Sequence, residues 1–425
     1  MADNSLNLSR VTIAGCVLRL AAFTIPVLSE SLQRRPELST LQTSFRNLKE
    51  GVFLYDRNTN PYIAGAFSLS PLYLFFFSWI TPVSFSALTA LIWTLADLFS
   101  SYSLVKVQRS RSGGCSKEVV VAALFLFNPC TLLVCLSRST TAVDNALLLY
   151  AISAATQGQV TVSMLMLSIT VHTSLYPIVL LGPMIMLLNK MNAGARVDAI
   201  LLQSMSVFTI CFMAITAINF CFFGPYWVYQ TWGVIITAVD LSPNVGMWWY
   251  FFTEMFDHFR GFFLGVFQLH IFIYIVPVCI RFYDKPLESI LILSGVFVTW
   301  KSYPSLGDMS LWAGLLSCFP EILANLRHPL FSLTVNLYTS ILLPLLHSLW
   351  LLTGTGNANF FYAATMVYGL NASLTVVDVV GAVLRADVKK AVEDWKAEKQ
   401  LEKLQGQCSS MEPVETDWQA VQFSS

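Results

Sequence analysis

The sequence predicts an all-α polytopic membrane protein, with about 10 to 12 crossings and several helices broken or re-entrant. Three observations carry that prediction. Of 425 residues, 55% are hydrophobic and only 12% charged, whereas soluble domains carry about 25% charged residues. So small a polar fraction leaves too little to cover a water-facing surface. Apolar runs also recur along the whole chain, many of them approaching the roughly 17 to 25 residues that cross the hydrocarbon core. Finally, "LFNPCTLL", "TSLYPIVLLGP", "FGPYWVY", "KSYPSLGD" and "LLPLLHSLW" place proline within or beside those runs. Each proline removes a backbone donor and disfavours helix at the residue before it. At membrane depth such breaks survive only where protein or a wet cavity satisfies the backbone, so a cavity-forming bundle is expected.

In chain order the candidate spans are 11–28, 66–81, 83–105, 119–135, 141–157, 160–176, 177–189, 199–223, 228–239, 261–282, 287–300, 309–324, 330–352 and 359–384. Val11 to Leu28 contains Arg19 and lacks a small-residue cleavage site, so it reads as a retained helix rather than a signal peptide. The basic, acid-free stretch "KVQRSRSGGCSK" (106–117), "NKMNAGAR" (189–196) and the Arg385, Lys389, Lys390 cluster read as cytoplasmic. Alternation through two helices then makes 29–65 a lumenal loop. That loop conflicts with the rule, because it carries five basic residues of its own. Residues 1–385 form a single multispanning domain with 106–118 as a cytoplasmic loop, and 386–425 form a charged cytoplasmic tail. Within the tail, "DVKKAVEDWKAEKQLEKLQ" alternates charge at helical spacing and the remainder is expected to be disordered.

Composition also excludes. Net charge is zero, which gives no sign of a nucleic-acid partner. The nine cysteines lie mostly inside apolar runs without CxxC or metal-ligand spacing, and an odd number argues against a disulfide framework. No metal or cofactor is expected.

Several polar motifs interrupt the apolar chain. In "LKEGVFLYDRNTNPY", Glu50 and Asp56 lie six apart. A carboxylate in such a loop suits a base or a cation ligand, but the structural role, with Asp56 capping or pairing with Arg57, is favoured. In "SRSTTAVDNALL" a helix start at Thr141 would place Asp144 at the positive helix end. His172, alone in an apolar run, reads as a packing residue. In "TWKSYPSLGDMSLW", Lys301 either meets an anionic headgroup phosphate or pairs with Asp308. "GTGNANFFYA" offers Asn357 and Asn359: one caps the following helix, and the other is left for hydroxyl-rich partners. The "NAS" triplet at Asn371 falls inside a span and is discounted as a glycosylation site.

The stretch "SPNVGMWWYFFTEMFDHF" (242–259) sets Glu254, Asp257 and His258 at i, i+3 and i+4, on one face of an expected interfacial helix. It matches neither HExxH nor a Ser-His-Asp or Cys-His arrangement.

"DLSPNVGMWWYFFTEMFDHFRGFFLGVFQLHIFIY" (240–274) resembles the PIG-U family, multispanning subunits of glycosylphosphatidylinositol (GPI) transamidase. So do, in the same order along the chain, "LKEGVFLYDRNTNPYIAGAFSLSPL", "LFLFNPCTLLVCLSRSTTAVDNALL", "YPIVLLGP", "WKSYPSLGD" and "NANFFYA". The resemblance implies an endoplasmic-reticulum, multi-pass, non-catalytic subunit and a membrane fold like that of GT-C-type glycosyltransferases. It implies partner subunits that include a caspase-like cysteine protease, and as ligands the GPI lipid and the precursor's hydrophobic C-terminal signal. Carried over by residue, Asn357, Asn359, Phe360 and Lys301 become GPI-contact candidates. Glu254, Asp257, His258, Asp56 and Tyr62 become structural or partner-facing ones. The alternatives are a dolichyl-phosphate-mannose-dependent GPI mannosyltransferase using Asp56 or Glu50 as base, and a transporter with a midplane site.

Overall fold

A computed structural model describes residues 2–63, 65, 67–80, 86–112, 117–194 and 196–409. It is helical, with no strand among the described residues. Nearly every apolar run forms a helix. The first half contains α1 (Ala2–Phe23), α2 (Pro26–Leu32), α3 (Phe45–Asp56), α4 (Pro71–Ile80), α5 (Ser86–Ser112), α6 (Glu118–Leu126), α7 (Pro129–Leu136), α8 (Thr141–Thr156), α9 (Val160–Ser174), α10 (Leu181–Met191) and α11 (Val197–Phe223). After it come the short α12 (Tyr226–Val228) and α13 (Val234–Thr237), then α14 (Trp248–Glu254), α15 (Asp257–Phe272) and α16 (Ile275–Arg281). The chain continues through α17 (Pro286–Trp300), α18 (Leu306–Ser317), α19 (Pro320–Ala324), α20 (Pro329–Leu351) and α21 (Ala358–Ser409).

Among the described residues, six helices are long and apolar enough to cross a bilayer, and a seventh span results if α6 and α7, bent by 51°, count as one. Shorter apolar helices at 160–174, 176–191 and 286–300 complete the bundle, so length alone supports fewer full crossings than the sequence suggested. The reason is visible at the prolines. Pro129, Pro286 and Pro320 occupy first-turn positions of short helices, where a missing N–H costs nothing. At the α6–α7 break the Asn128 side chain caps α7 by accepting from the Cys130 N–H at 2.9 Å. Pro344 sits inside the long α20.

Two expected boundaries move. Residues 106–112, read as loop, continue α5, and the charged tail continues α21 to residue 409. Basic side chains suit a helix C-terminus, and Arg109 pairs with Glu118 of α6 at 2.7 Å. The expected disorder begins at Gly406, but residues 406–409 belong to α21; 410–425 and the centre of that expected loop, 113–116, lie outside the described residues.

The core runs through α5, α8, α9 and α17, with α18 and α21 packed across it. A buried ion pair ties α1 to α5. Arg19 of α1 meets Asp97 of α5 at 2.7 Å and also donates to the Gly15 and Leu126 carbonyls. The segment between α1 and α4 caps one end of the bundle. It is pinned there by Ser29 Oγ to the Leu136 carbonyl (2.8 Å), Thr140 N–H to the Thr43 carbonyl (3.0 Å) and Leu306 N–H to the Glu37 carbonyl (2.9 Å).

Candidate functional site

On that capped end, the turn between α20 and α21 presents the two amides. Thr355 and Gly356 donate to the Leu349 carbonyl. A Cβ on Gly356 would lie 3.2 Å from the Trp350 backbone nitrogen, a tight approach that favours glycine at the fold-back. Asn357 caps α21, its Oδ1 accepting the Phe360 N–H at 3.1 Å. Asn359 Oδ1 accepts the Tyr250 hydroxyl. Both amides are exposed, as is Phe360 at 58%. One Asn therefore caps and the other is held by a tyrosine, each through its Oδ1, so that neither Nδ2 is used in these two contacts.

Behind the turn stands an aromatic wall. Trp249 stacks on Trp350 at 6.1 Å, Tyr250 lies 4.7 Å from Tyr362, and Phe251 stacks on Phe267 at 5.1 Å. Trp248 donates to the Trp300 carbonyl at 2.9 Å. The tryptophan–phenylalanine run thus joins α14 to α15 on one side and to the amide turn on the other.

Beyond the wall, the expected single face of Glu254, Asp257 and His258 does not form. The helix stops at Glu254, Met255 is extended (φ −83°, ψ 143°), and α15 restarts after Phe256. Asp257 takes the first position of the new helix, where its charge complements the helix dipole. All three side chains are exposed, as an interfacial position would have them.

Beside the turn opens a cleft of about 540 Å³. Arg34, Arg35, Arg46 and Asn47 form one side, with Asn244 and His347 opposite. His347 connects cleft and turn, its ring 5.4 Å from that of Phe361. Arg35 is held by Ser348 Oγ at 2.8 Å and the Pro344 carbonyl at 3.3 Å. These basic residues were not singled out from sequence, where they registered only as a topological conflict.

Tyr303 lines this cleft and also a second, much smaller polar cavity of about 30 Å³, room for one or two waters. Here Lys301 faces Asp308 at 2.6 Å, both nearly buried. Asp308 also accepts from the Ser305 N–H (2.7 Å) and hydroxyl (3.1 Å), closing a capping box on α18. Lys301 therefore points to its internal carboxylate and not to an open anion site. Asp144 lines the same cavity and accepts from Tyr73 (2.6 Å) and Thr173 (2.7 Å).

The remaining candidates separate. Glu50 lines the cleft and pairs loosely with Arg46 at 3.7 Å. Asp56 is exposed at the end of α3, and the Arg57 guanidinium lies over the Phe53 ring at 4.0 Å. Tyr62 is buried, donating to the Leu69 carbonyl at 2.9 Å. His172 is buried between Asn219 (3.1 Å) and the stacked Trp227 ring. Asn371 is buried too, donating to the Ser332 carbonyl. No cluster of three metal-ligating side chains occurs among the described residues.

A large apolar groove, about 980 Å³, runs between α4, α5, α8, α9 and α11, walled by Phe75, Phe76, Phe99, Leu147, Ile169 and Ile215. Thr173 belongs to both this groove and the small polar cavity. The amide turn is not part of its lining.

Comparison with known proteins supplies the context for this geometry. Residues 13–368 match the family of the GPI transamidase subunit PIG-U. The chain is 34% identical over 389 residues to the GPI transamidase component GAB1 of Saccharomyces cerevisiae, covering 90% of this chain and 96% of that one. It is 30% identical over 369 residues to the GAB1 homolog of Schizosaccharomyces pombe, covering 85% and 89%. To the human GPI-anchor transamidase component PIGU it is 28% identical over 408 residues, covering 89% and 93%.

Proposed function

Since the chain belongs to the PIG-U family of GPI transamidase subunits, we propose that it holds the GPI lipid for transfer without itself catalysing the reaction. In this reading the complex sits in the endoplasmic-reticulum membrane. A caspase-like partner subunit carries the cysteine nucleophile, and the capped end of the bundle faces the lumen. The observation that carries the reading is the exposed pair Asn357 and Asn359, fixed against an aromatic wall. Exposed amide donors suit the hydroxyls of a glycan, and flat rings behind them suit sugar and acyl surfaces. The groove along α4, α5, α8, α9 and α11 offers apolar volume for hydrocarbon, whether of the lipid or of the precursor's C-terminal signal.

The test is the double substitution Asn357→Asp/Asn359→Asp in the intact complex. Aspartate preserves the cap but replaces the amide donors with acceptors. GPI lipid retained by the purified complex should fall at least tenfold while subunit assembly is unchanged. Unchanged retention would remove these amides from the ligand site. Asp56→Asn should leave GPI attachment intact, whereas its loss in an assembled complex would favour the mannosyltransferase reading.

A further inference from the structure

The five basic residues between 29 and 65 run against the charge asymmetry that orients membrane proteins. The structure gives three of them a common place. Arg34, Arg35 and Arg46 converge on the 540 Å³ cleft, which four distant segments of chain assemble: residues 33–50, 242–244, Tyr303 and His347. Against three guanidinium groups the lining provides one carboxylate, Glu50, already shared with Arg46. Arg35 is positioned by a hydroxyl and a carbonyl, which orient its guanidinium without neutralising it. Two further acids adjoin the lining: Asp240, whose carboxylate accepts from the Ser242 N–H (3.1 Å) and hydroxyl (2.7 Å), and the buried Glu37, whose carboxyl burial raises to about 7 despite the opposing influence of its own backbone bonding and of Arg35. Glu37 therefore carries only part of a charge at neutral pH, and Asp240 is already engaged by Ser242, so the three guanidinium groups outnumber the carboxylates of the lining itself. Hydroxyl and amide groups of Ser39, Thr40, Ser44 and Asn47 fill the rest of that wall.

A concave site with excess arginine, one of the guanidinium groups held in place, matches a tetrahedral oxyanion, since guanidinium forks meet such oxygens in pairs. We propose that this cleft binds a phosphate ester, with Arg34 and Arg46 contacting its oxygens and Arg35 forming the fixed floor. The Lys301 ammonium, committed to Asp308, is not part of that site. Resting on the lipid-holding reading above, the cleft grips the phosphate of the glycolipid headgroup while the adjoining amide turn, joined through His347 and Phe361, meets its sugars.

The assembled complex in phosphatidylcholine nanodiscs, with and without phosphatidylinositol, tests this. Phosphoethanolamine serves as a soluble probe, and retained GPI lipid is measured in parallel. Arg34→Gln/Arg46→Gln should weaken retention of GPI lipid at least tenfold, and Arg34→Lys/Arg46→Lys should fall between it and the parent. Arg57→Gln, in the same loop but stacked on Phe53, should change nothing. Binding should weaken as salt is raised. Arginine-dependent binding of phosphoethanolamine would locate the anion at a phosphate reached from water. Arginine-dependent binding confined to phosphatidylinositol nanodiscs would locate it at the membrane-proximal phosphate. Binding of neither probe, or binding indifferent to the arginine changes, overturns the proposal. Lipid loss in Asn357→Asp/Asn359→Asp with full retention in Arg34→Gln/Arg46→Gln would refute this cleft alone, and retention in both would refute the lipid-holding reading as well.

Discussion

Replacing Lys301 by methionine keeps chain length and apolar bulk while deleting one charge of a nearly buried pair. Asp308, 4% exposed, then loses the ammonium at 2.6 Å but keeps the Ser305 N–H at 2.7 Å and the Ser305 hydroxyl at 3.1 Å. Breaking one side of a buried pair costs about 3 to 5 kcal/mol. The two surviving bonds, which favour the charged carboxylate, place this case at about 3 kcal/mol, more than a hundredfold in the folded-to-unfolded ratio. Adding Asp308→Asn removes the stranded charge and preserves the cap, so the double variant should lie within about 1 kcal/mol of the parent, the net worth of one hydrogen bond. Asp308→Asn alone strands the Lys301 ammonium instead and should cost a similar ~3 kcal/mol, so the double variant recovers most of what either single change loses. Reversible unfolding of the three variants in mixed micelles reads the stabilities, and GPI-lipid retention by the assembled complex reads function. The double variant should retain lipid as the parent does. A Lys301→Met protein as stable as the parent, with lipid retention down tenfold, would refute the internal-pair reasoning and return Lys301 to the ligand site.

Two further outcomes follow from buried contacts. Glu37 is 2% exposed, its carboxyl oxygens have no hydrogen-bond partner among the described residues, and burial raises its proton affinity from 4.5 to about 7. Between those values the folded chain binds the proton more tightly than the unfolded chain. Stability should therefore be highest below pH 4.5 and fall as pH rises towards 7, by about 3 kcal/mol in all. Glu37→Gln should remove that slope and stabilise at pH 8, checked by unfolding midpoints at pH 5 and 8. Gly295 illustrates the opposite constraint, since a Cβ there would lie 2.7 Å from Trp312 Nε1 and 2.8 Å from Val376. Trp312 cannot yield easily, because its Nε1 donates to the Leu291 carbonyl at 3.0 Å. Gly295→Val should cost about 1 to 3 kcal/mol although glycine is a poor helix former, and thermal unfolding of the purified complex would measure it.

Fold class and helix placement were legible in the amino-acid sequence because both depend on local quantities. Apolar length marks a span and proline marks an interruption, as Pro129 and Pro320 do at the starts of α7 and α19. The division of labour between Asn357 and Asn359 was legible in kind, since a helix start takes one cap and leaves the second amide over. Sequence spacing misled where a helix broke without proline. Glu254 and Asp257 are three apart, yet Met255 is extended between them, and the break lets the aromatic side chains of α14 fold back onto Phe263 and Phe267 of α15. Only tertiary structure decided which charges are internal. Lys301 and Arg34 look alike as letters, but one faces Asp308 inside the bundle and the other lines an open cleft. Whether a cation is available to a ligand depends on what folding brings within a few ångströms of it, and those partners come from residues far away along the chain.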